Sequence, residues 1–242
     1  MTTSERVPQG LHAFLIHKTP HGDTSFRTRL FTQTQGVIEC HYRGGRSPKK
    51  NALLQPFTPL WVLINERHQW FYINSVENTG LSYTFKGQAL FAALYVNELI
   101  FHTASKHDSD APLFLSYENT LRHLQEACQA SDIEIGLRRF EKNLLHTTGY
   151  ALSFDSDSEL SHHIDSKQYY QFKPGQGFIE SASGFSGEHL LAFAADQWDD
   201  PAVFKVAKLI MRQAIADLLD GQQLQSRLLY SQQLSFQQDA SE

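Results

Sequence analysis

The chain has 242 residues, of which 41% are apolar and 19% are charged, and its formal net charge at pH 7 is −5. This composition is that of an ordinary globular protein, and no apolar run approaches the roughly 18 residues needed to span a membrane. The N-terminal residues contain no apolar signal core, and Cys40 and Cys128 form no CxxC pair. We therefore expect a cytoplasmic protein with no membrane partner.

The charge is unevenly distributed along the chain. Residues 1–80 contain nine Lys/Arg and five Asp/Glu, whereas the remaining residues contain 12 and 21. A basic first third followed by an acidic remainder indicates that any polyanion is bound by the N-terminal part.

Five short segments within the first 80 residues have the composition and alternation of β-strands. In Ser25–Thr32 the alternation has a period of two, which places Arg27 and Arg29 on the outer face of a half-buried strand. Five strands with almost no helix between them predict a small barrel, and the OB-fold is the five-stranded barrel most often used for single strands. The predicted strands are residues 11–17, 25–32, 37–42, 58–64 and 70–76.

Residues 42–57 join two of these strands and contain four cations, two adjacent glycines and two prolines. Because adjacent glycines and a Ser-Pro pair disfavour regular structure, we predict a mobile basic loop that contains no helix. Such a loop suits a polyanion, since Arg and Lys neutralise phosphates without a fixed geometry. A solvated hairpin connection that its charges keep soluble accounts for the same composition equally well.

After Gly87 the apolar residues recur at helical spacing. We predict helices from residue 87, over 111–130 and over 131–149, then an irregular stretch over about 151–187 with a short hairpin, and a helix over 186–198. Asp200 and Pro201 are an N-cap and a first-turn proline that open an amphipathic helix ending near Gly221. The fold class is therefore α+β multidomain: an OB-fold nucleic-acid-binding domain over 1–80, and over 81–242 a helical domain with a flexible C-terminal tail.

Two groups of side chains are candidates for binding. In the barrel, six cations would share one face or end, and nearby aromatic rings would stack on bases, although the barrel core is the alternative place for those rings. In the helical part, cations beside apolar positions would fit an acidic peptide that ends in an aromatic residue and a free carboxylate, although solvated helix faces explain them too. The predicted DNA-binding residues are Arg27, Arg29, Tyr42, Arg43, Arg46, Lys49, Lys50 and Trp70, and the predicted peptide-binding residues are Arg138, Arg139, Lys208 and Arg212.

Signatures of catalysis are absent from the sequence, which contains no P-loop, no GxGxxG after a strand, no GxSxG and no HExxH. His162 and His163, near Asp155, Asp157 and Asp165, are the basis of one alternative, a metal-dependent hydrolase. Adjacent histidines on a loop point apart, however, and no further Cys or paired His completes a site. We therefore expect no enzyme.

Ordered motifs along nearly the whole chain resemble the RecO family of bacterial DNA repair proteins. They include Ala13-Phe14-Leu15-Ile16-His17, Gly45-Arg46-Ser47, Leu54-Gln55-Pro56-Phe57, Leu94-Tyr95-Val96-Asn97-Glu98-Leu99, Leu137-Arg138-Arg139-Phe140-Glu141, Gly149-Tyr150 and Leu224-Gln225-Ser226-Arg227. Their order and spacing together carry the resemblance.

The resemblance implies an N-terminal OB-fold, a helical body and a non-enzymatic, nucleoid-associated mediator of recombinational repair. Such proteins bind single- and double-stranded DNA, anneal complementary strands, and work with RecR to load RecA on strands coated by SSB. The family's helical domain takes the SSB C-terminal tail, and the Arg that lines that site corresponds to Arg138. Many members carry a four-cysteine zinc site after the Gly-Tyr pair; this chain has no cysteine beyond Cys128, so we predict no zinc and no other cofactor.

Overall fold

The structure is a computed structural model that describes residues 8–67, 70–104, 110–154 and 163–239. The chain forms two compact units, one comprising Met1–Ala127 and Leu224–Glu242 and the other comprising Cys128–Gln223. The predicted domain boundary at residue 80 marks the end of the barrel, whereas the first compact unit continues to Ala127 and includes the C-terminal segment. The domain division therefore stays a prediction.

Five strands in the first unit close into a barrel, which confirms the predicted OB-fold. Neighbouring strands follow the order β1-β2-β3-β5-β4, and they pair antiparallel except for β3 with β5. The strands are β1 Gln9–His21, β2 Ser25–Thr32, β3 Gly36–Tyr42, β4 Leu60–Arg67 and β5 Trp70–Asn78.

Helices follow the barrel, as predicted, and one further helix, α1 Pro48–Leu53, lies between β3 and β4. Those of the first unit are α1, α2 Gly87–Thr103, α3 Ala111–Glu126 and α7 Gln225–Asp239. Those of the second unit are α4 Ala130–Thr147, α5 Gly187–Ala194 and α6 Pro201–Leu218, together with a three-stranded sheet of β6 Tyr169–Lys173, β7 Gly177–Ser181 and β8 Phe185–Ser186. In the described part of the chain, no helix is long and apolar enough to span a bilayer.

Alternation along the strands divides the barrel surface into a covered part and an exposed part. Side chains such as Leu30 and Ile38 fill the interior. Phe14 and Phe31 point outward, yet they are buried because α3 covers them, with the Phe114 ring 5.6 Å and 5.3 Å from theirs. The exposed part of the barrel surface lies on β2, β3 and β5.

Local signals explain where several helices begin. The Asp200 carboxylate accepts a hydrogen bond from the Ala202 amide (2.7 Å), so the predicted N-cap and first-turn proline of α6 are confirmed. The N-terminus of α7 is capped by another helix, because the Glu98 carboxylate on α2 accepts hydrogen bonds from the Gln225 and Ser226 amides (2.7 and 2.9 Å). The C-terminal segment is helical from Gln225 to Asp239.

The prediction that the basic loop contains no helix is wrong, because Pro48–Leu53 form α1. Proline is compatible with the first turn of a helix, where its missing N–H is not needed, and Pro48 occupies that position. The two glycines precede the helix and permit the turn that leads into it. Gly44 adopts a positive φ of 65°, and a Cβ on Gly45 would lie 2.7 Å from the Tyr42 ring.

Candidate nucleic-acid interface

The exposed part of the barrel surface brings together six outward-facing side chains, which we call the β2–β3–β5 face. Cross-strand pairing sets their positions: Arg27 lies opposite His41, Arg29 opposite Glu39, and His41 beside Tyr72 on β5. Trp70 is two residues before Tyr72 and therefore points to the same side. The face comprises Arg27, Arg29, Glu39, His41, Trp70 and Tyr72.

The two arginines of this face share one carboxylate. Arg27 Nη2 lies 2.8 Å from Glu39 Oε2, and Arg29 Nε lies 3.0 Å from Glu39 Oε1. The Arg29 guanidinium also lies 4.2 Å from the centre of the Phe101 ring on α2, a cation–π contact. Both predicted cations are therefore on the outer surface, where the alternation places them, and Glu39 neutralises part of their charge.

An aromatic array crosses the face from strand to strand. The His41 ring lies 5.6 Å from Tyr72 in a stacked arrangement (29°) and 5.3 Å from Trp70, edge to face. Guanidinium groups flank the array, with Arg27 5.9 Å from the Trp70 ring centre and Arg43 5.0 Å from that of Tyr72.

The environment of His41 lowers the pKa of its imidazole. Burial is the largest cause that lowers its pKa; His21, Arg27 and Arg43 lower it further, and Glu39 opposes them. The folded state therefore disfavours the protonated ring.

The remaining predicted cations lie at the end of the face, on α1 and the turn before it. Arg46 Nη1 donates to the Gly22 carbonyl (3.1 Å), and Lys50 Nζ donates to the Arg43 carbonyl (3.0 Å). Arg43, Arg46 and Lys49 are exposed, and Lys50 is half-buried. The structure therefore places these four cations together, on a short helix and turn rather than on an irregular loop.

A half-buried lysine fixes α1 to the barrel. Lys18 Nζ on β1 donates to Asn51 Oδ1 and to the Leu54 carbonyl, both at 2.7 Å. Burial lowers the pKa of this amine.

One predicted stacking residue is not on the surface. Tyr42 is only 2% exposed and belongs to the barrel core, so its ring cannot stack on a base in this conformation. Tyr42 is the last residue of β3, and its side chain points to the opposite side of the strand from that of His41. His41 is the ring that contacts Trp70 and Tyr72. The prediction missed His41 and Glu39; the period-two alternation of β3 would have placed both on the outer face.

Two of the predicted peptide-binding cations of the second unit, Arg138 and Lys208, pair with the same carboxylate, that of Glu134, which lies 3.7 Å from Arg138 Nη2. Arg139 is exposed, and its guanidinium lies 2.6 Å from the Asp196 carboxylate. Arg138 is only 6% exposed and pairs with the buried Glu141 at 2.8 Å, so a surface ligand cannot contact it directly, contrary to our expectation. Lys208 pairs with Glu134 at 2.6 Å, and Arg212 is exposed on α6.

Around Arg139 the second unit combines cations with aromatic rings. Burial alone would raise the pKa of the Asp196 carboxyl, but hydrogen bonds from Arg139 and Trp198 hold it below its ordinary value. Lys142 donates to the Phe193 and Ala194 carbonyls at the end of α5 (3.2 and 3.1 Å), and the centre of the Phe193 ring lies 5.1 Å from its amine.

A metal site has no support within the described residues, where no group of three or more His, Cys, Asp or Glu side chains is placed to hold an ion. His163 is exposed in this part of the chain. Asp155, Asp157 and His162, on which the hydrolase alternative depends, lie outside the described residues.

Comparison with known proteins relates both parts of the chain to one family. Residues 10–81 match the family model described as Recombination protein O N terminal, and residues 85–219 match Recombination protein O C terminal. Similar curated proteins include the DNA repair protein RecO of Legionella pneumophila strain Lens, 45% identical over 223 residues, which are 92% of this chain and 97% of the relative. The DNA repair protein RecO of Psychromonas ingrahamii is 34% identical over 228 residues, 91% of this chain and 97% of the relative.

Proposed function

The chain belongs to the RecO family of DNA repair proteins, and from this we propose that it is a non-enzymatic, DNA-binding mediator of recombinational repair. It binds single- and double-stranded DNA and anneals complementary strands. With RecR it helps to load RecA on single strands coated by SSB. The names of its relatives support a role in repair, and the cationic barrel surface supports direct contact with DNA.

One observation carries the DNA-binding part of the proposal: six predicted cations lie on the β2–β3–β5 face or on α1 and its preceding turn. Cations on an outer barrel surface neutralise phosphates and so lower the repulsion between two strands. Because these cations contact phosphates and not bases, the base edges stay free to pair. Annealing would then result from electrostatic capture and alignment.

The test is fluorescence-anisotropy binding of a labelled single-stranded oligonucleotide across a salt series. If each of six cations contacts a phosphate, the slope of log K against log salt approaches roughly −4. Changing Arg43, Arg46, Lys49 and Lys50 to Ala removes four of these contacts and should bring the slope to about −1, with weaker binding at low salt.

A matched control removes the same charge from the second unit. Lys167, Lys173, Lys205 and Arg212 are all exposed there, and changing them to Ala should leave the slope near the wild-type value. Equal binding by the barrel variant and the wild type would transfer the DNA site to the helical part. No binding by either would favour an adaptor that contacts DNA only through protein partners.

A second binding function concerns the SSB tail, an acidic peptide ending in an aromatic residue and a free carboxylate. The observation that favours it is the Arg139–Asp196 pair beside Trp198 and Lys142. A ligand carboxylate can replace Asp196 at the Arg139 guanidinium, while aromatic rings stand nearby for its apolar side chain. Because Arg138 is buried, Arg139 is the arginine that contacts the ligand.

We expect Arg139→Ala to weaken binding of a labelled acidic peptide by roughly tenfold, the effect of losing a charge-assisted hydrogen bond. The same peptide with an amidated C-terminus is the ligand control and should bind weakly to both proteins. Lys173→Ala, which removes an exposed cation of the same unit, is the protein control. Unchanged binding by Arg139→Ala would remove this pair from the proposed site.

A further inference from the structure

A surface aromatic array, in which Trp70 is exposed and His41 and Tyr72 are half-buried, is left unexplained by electrostatic capture alone. The rings of Trp70, His41 and Tyr72 lie in sequence across β3 and β5, with adjacent centres 5.3 and 5.6 Å apart. Guanidinium groups border the array at each end, Arg27 beside Trp70 and Arg43 beside Tyr72. The array therefore consists of three adjacent rings with a phosphate-binding group at each end.

Packing does not account for these rings. Trp70 is 47% exposed, and none of the three rings belongs to the cluster that fills the barrel. The aromatic rings that do pack outside the barrel, such as Phe14 and Phe31, are covered by α3 and fully buried. Leaving a large apolar surface in water costs free energy, so an exposed array is an informative feature where it coincides with cations.

Resting on the proposed DNA-binding function, we propose that Trp70, His41 and Tyr72 form a base-stacking subsite that makes this barrel prefer single-stranded to double-stranded DNA. In a duplex each base is stacked between its neighbours, and its flat faces are closed to a protein unless the base is flipped out. In a single strand the faces are accessible, and aromatic side chains stack on them regardless of sequence. Arg27 and Arg43 contact phosphates in either case.

The stacked arrangement of His41 and Tyr72 suits this role. The two ring planes are 29° apart and so present their faces side by side, while Trp70 meets His41 edge to face. The cations on α1 are not part of the subsite, because they lie beyond Arg43 on a separate element. Affinity for phosphates and preference for single strands thus depend on different residues of one surface.

The experiment compares three ligands of equal length on the full-length protein: an oligo-dT strand, a duplex, and a strand of abasic sites that keeps the phosphates and lacks the bases. We expect Trp70→Ala to weaken binding of oligo-dT by about 5- to 150-fold, the range for loss of one stacked base. Binding of the duplex and of the abasic strand should change less than about twofold, and the salt slope should stay the same, because no charge is removed.

Two further variants separate stacking from a general structural effect. Trp70→Phe keeps an aromatic ring and should retain most of the binding to oligo-dT, whereas a purely structural need for the indole would not be rescued. Tyr169→Ala removes an aromatic ring of similar exposure (49%) from the second unit and should leave binding of all three ligands unchanged.

The outcomes distinguish this inference from the proposed function. Wild-type protein that binds none of the ligands would overturn the DNA-binding proposal itself. Wild-type binding that Trp70→Ala leaves unchanged, or reduces equally for oligo-dT, duplex and abasic strand, would overturn only the stacking subsite. Selective loss of oligo-dT binding with rescue by Trp70→Phe would establish it.

Discussion

Glu39 shows how a single residue sets the charge of the candidate DNA surface. Its carboxylate accepts hydrogen bonds from both Arg27 and Arg29, and only 18% of its side chain is exposed. A phosphate that approaches either guanidinium therefore competes with a carboxylate already in place. Because it subtracts one charge from the centre of the face, Glu39 should limit DNA affinity.

We expect Glu39→Gln to bind single-stranded DNA about 3- to 10-fold more tightly at low salt, because the face then carries one negative charge fewer. The measurement is the anisotropy salt series. Glu77→Gln is the control. It removes an exposed acid near the C-terminal end of β5, away from Trp70 and Tyr72, and should change binding little. Weaker binding by Glu39→Gln would mean that the carboxylate holds the arginines in a required position.

Arg138 shows that the type of a residue does not reveal its role. With Glu141 it forms a buried ion pair inside the second unit, and only its neighbour Arg139 reaches the surface. Removing one partner of a buried pair leaves the other charge uncompensated and typically costs about 3–5 kcal/mol. Loss of peptide binding in an Arg138 variant would therefore report unfolding as readily as a lost contact.

Among the elements, α1 gives the basic segment a defined shape. It is only six residues long, and isolated helices of that length are not stable in water. Its attachment to the barrel comes from Lys18, whose amine donates to Asn51 and to the Leu54 carbonyl just beyond the C-terminus of the helix. A cation at this end also complements the helix dipole.

Lys18→Met keeps the aliphatic stem and removes these donors. We expect α1 to be destabilised by about 1 kcal/mol, so that its amides exchange with solvent about fivefold faster. Hydrogen exchange of a peptide spanning residues 48–57 measures this directly. Lys86→Met removes an exposed cation elsewhere in the first unit and should leave the exchange of this peptide unaltered. Equal exchange in the Lys18 variant and the wild type would show that other contacts hold α1.

At the scale of the whole molecule, the charges divide between the two compact units. The first unit contains 13 Lys/Arg and 12 Asp/Glu, whereas the second contains 8 and 14. An acidic unit repels a polyanion at long range, and a nearly neutral unit can bind one only where its cations are concentrated. Because the concentrated cations lie on the barrel, the DNA contact should belong to the first unit.

Hydrogen exchange of the full-length protein with and without single-stranded DNA checks this prediction. We expect protection in peptides of β2, β3, β5 and α1, and none in α4 or α6. Raising the salt concentration should weaken the protection, since the phosphate contacts are ionic. Protection of α4 and α6 with none in the barrel would contradict the assignment.

The sequence alone was sufficient wherever a structural rule is local. Alternation with period two identified the strands and placed Arg27 and Arg29 on the outer face. Asp200 with Pro201 marked the start of α6. Such signals work because a strand, a cap or an amphipathic face is determined by residues within a few positions of one another. The barrel followed from the succession of these elements, and the resemblance to the family followed from the order of motifs.

Tertiary structure alone decided which side chains meet. His41 and Tyr72 are neighbours because β3 pairs with β5, across 30 intervening residues that contain α1 and β4. The same closure buries Tyr42 and seats α1 on Lys18, and in the second unit packing buries Arg138 with Glu141. These outcomes depend on contacts between residues distant in the chain, which no local period or cap encodes.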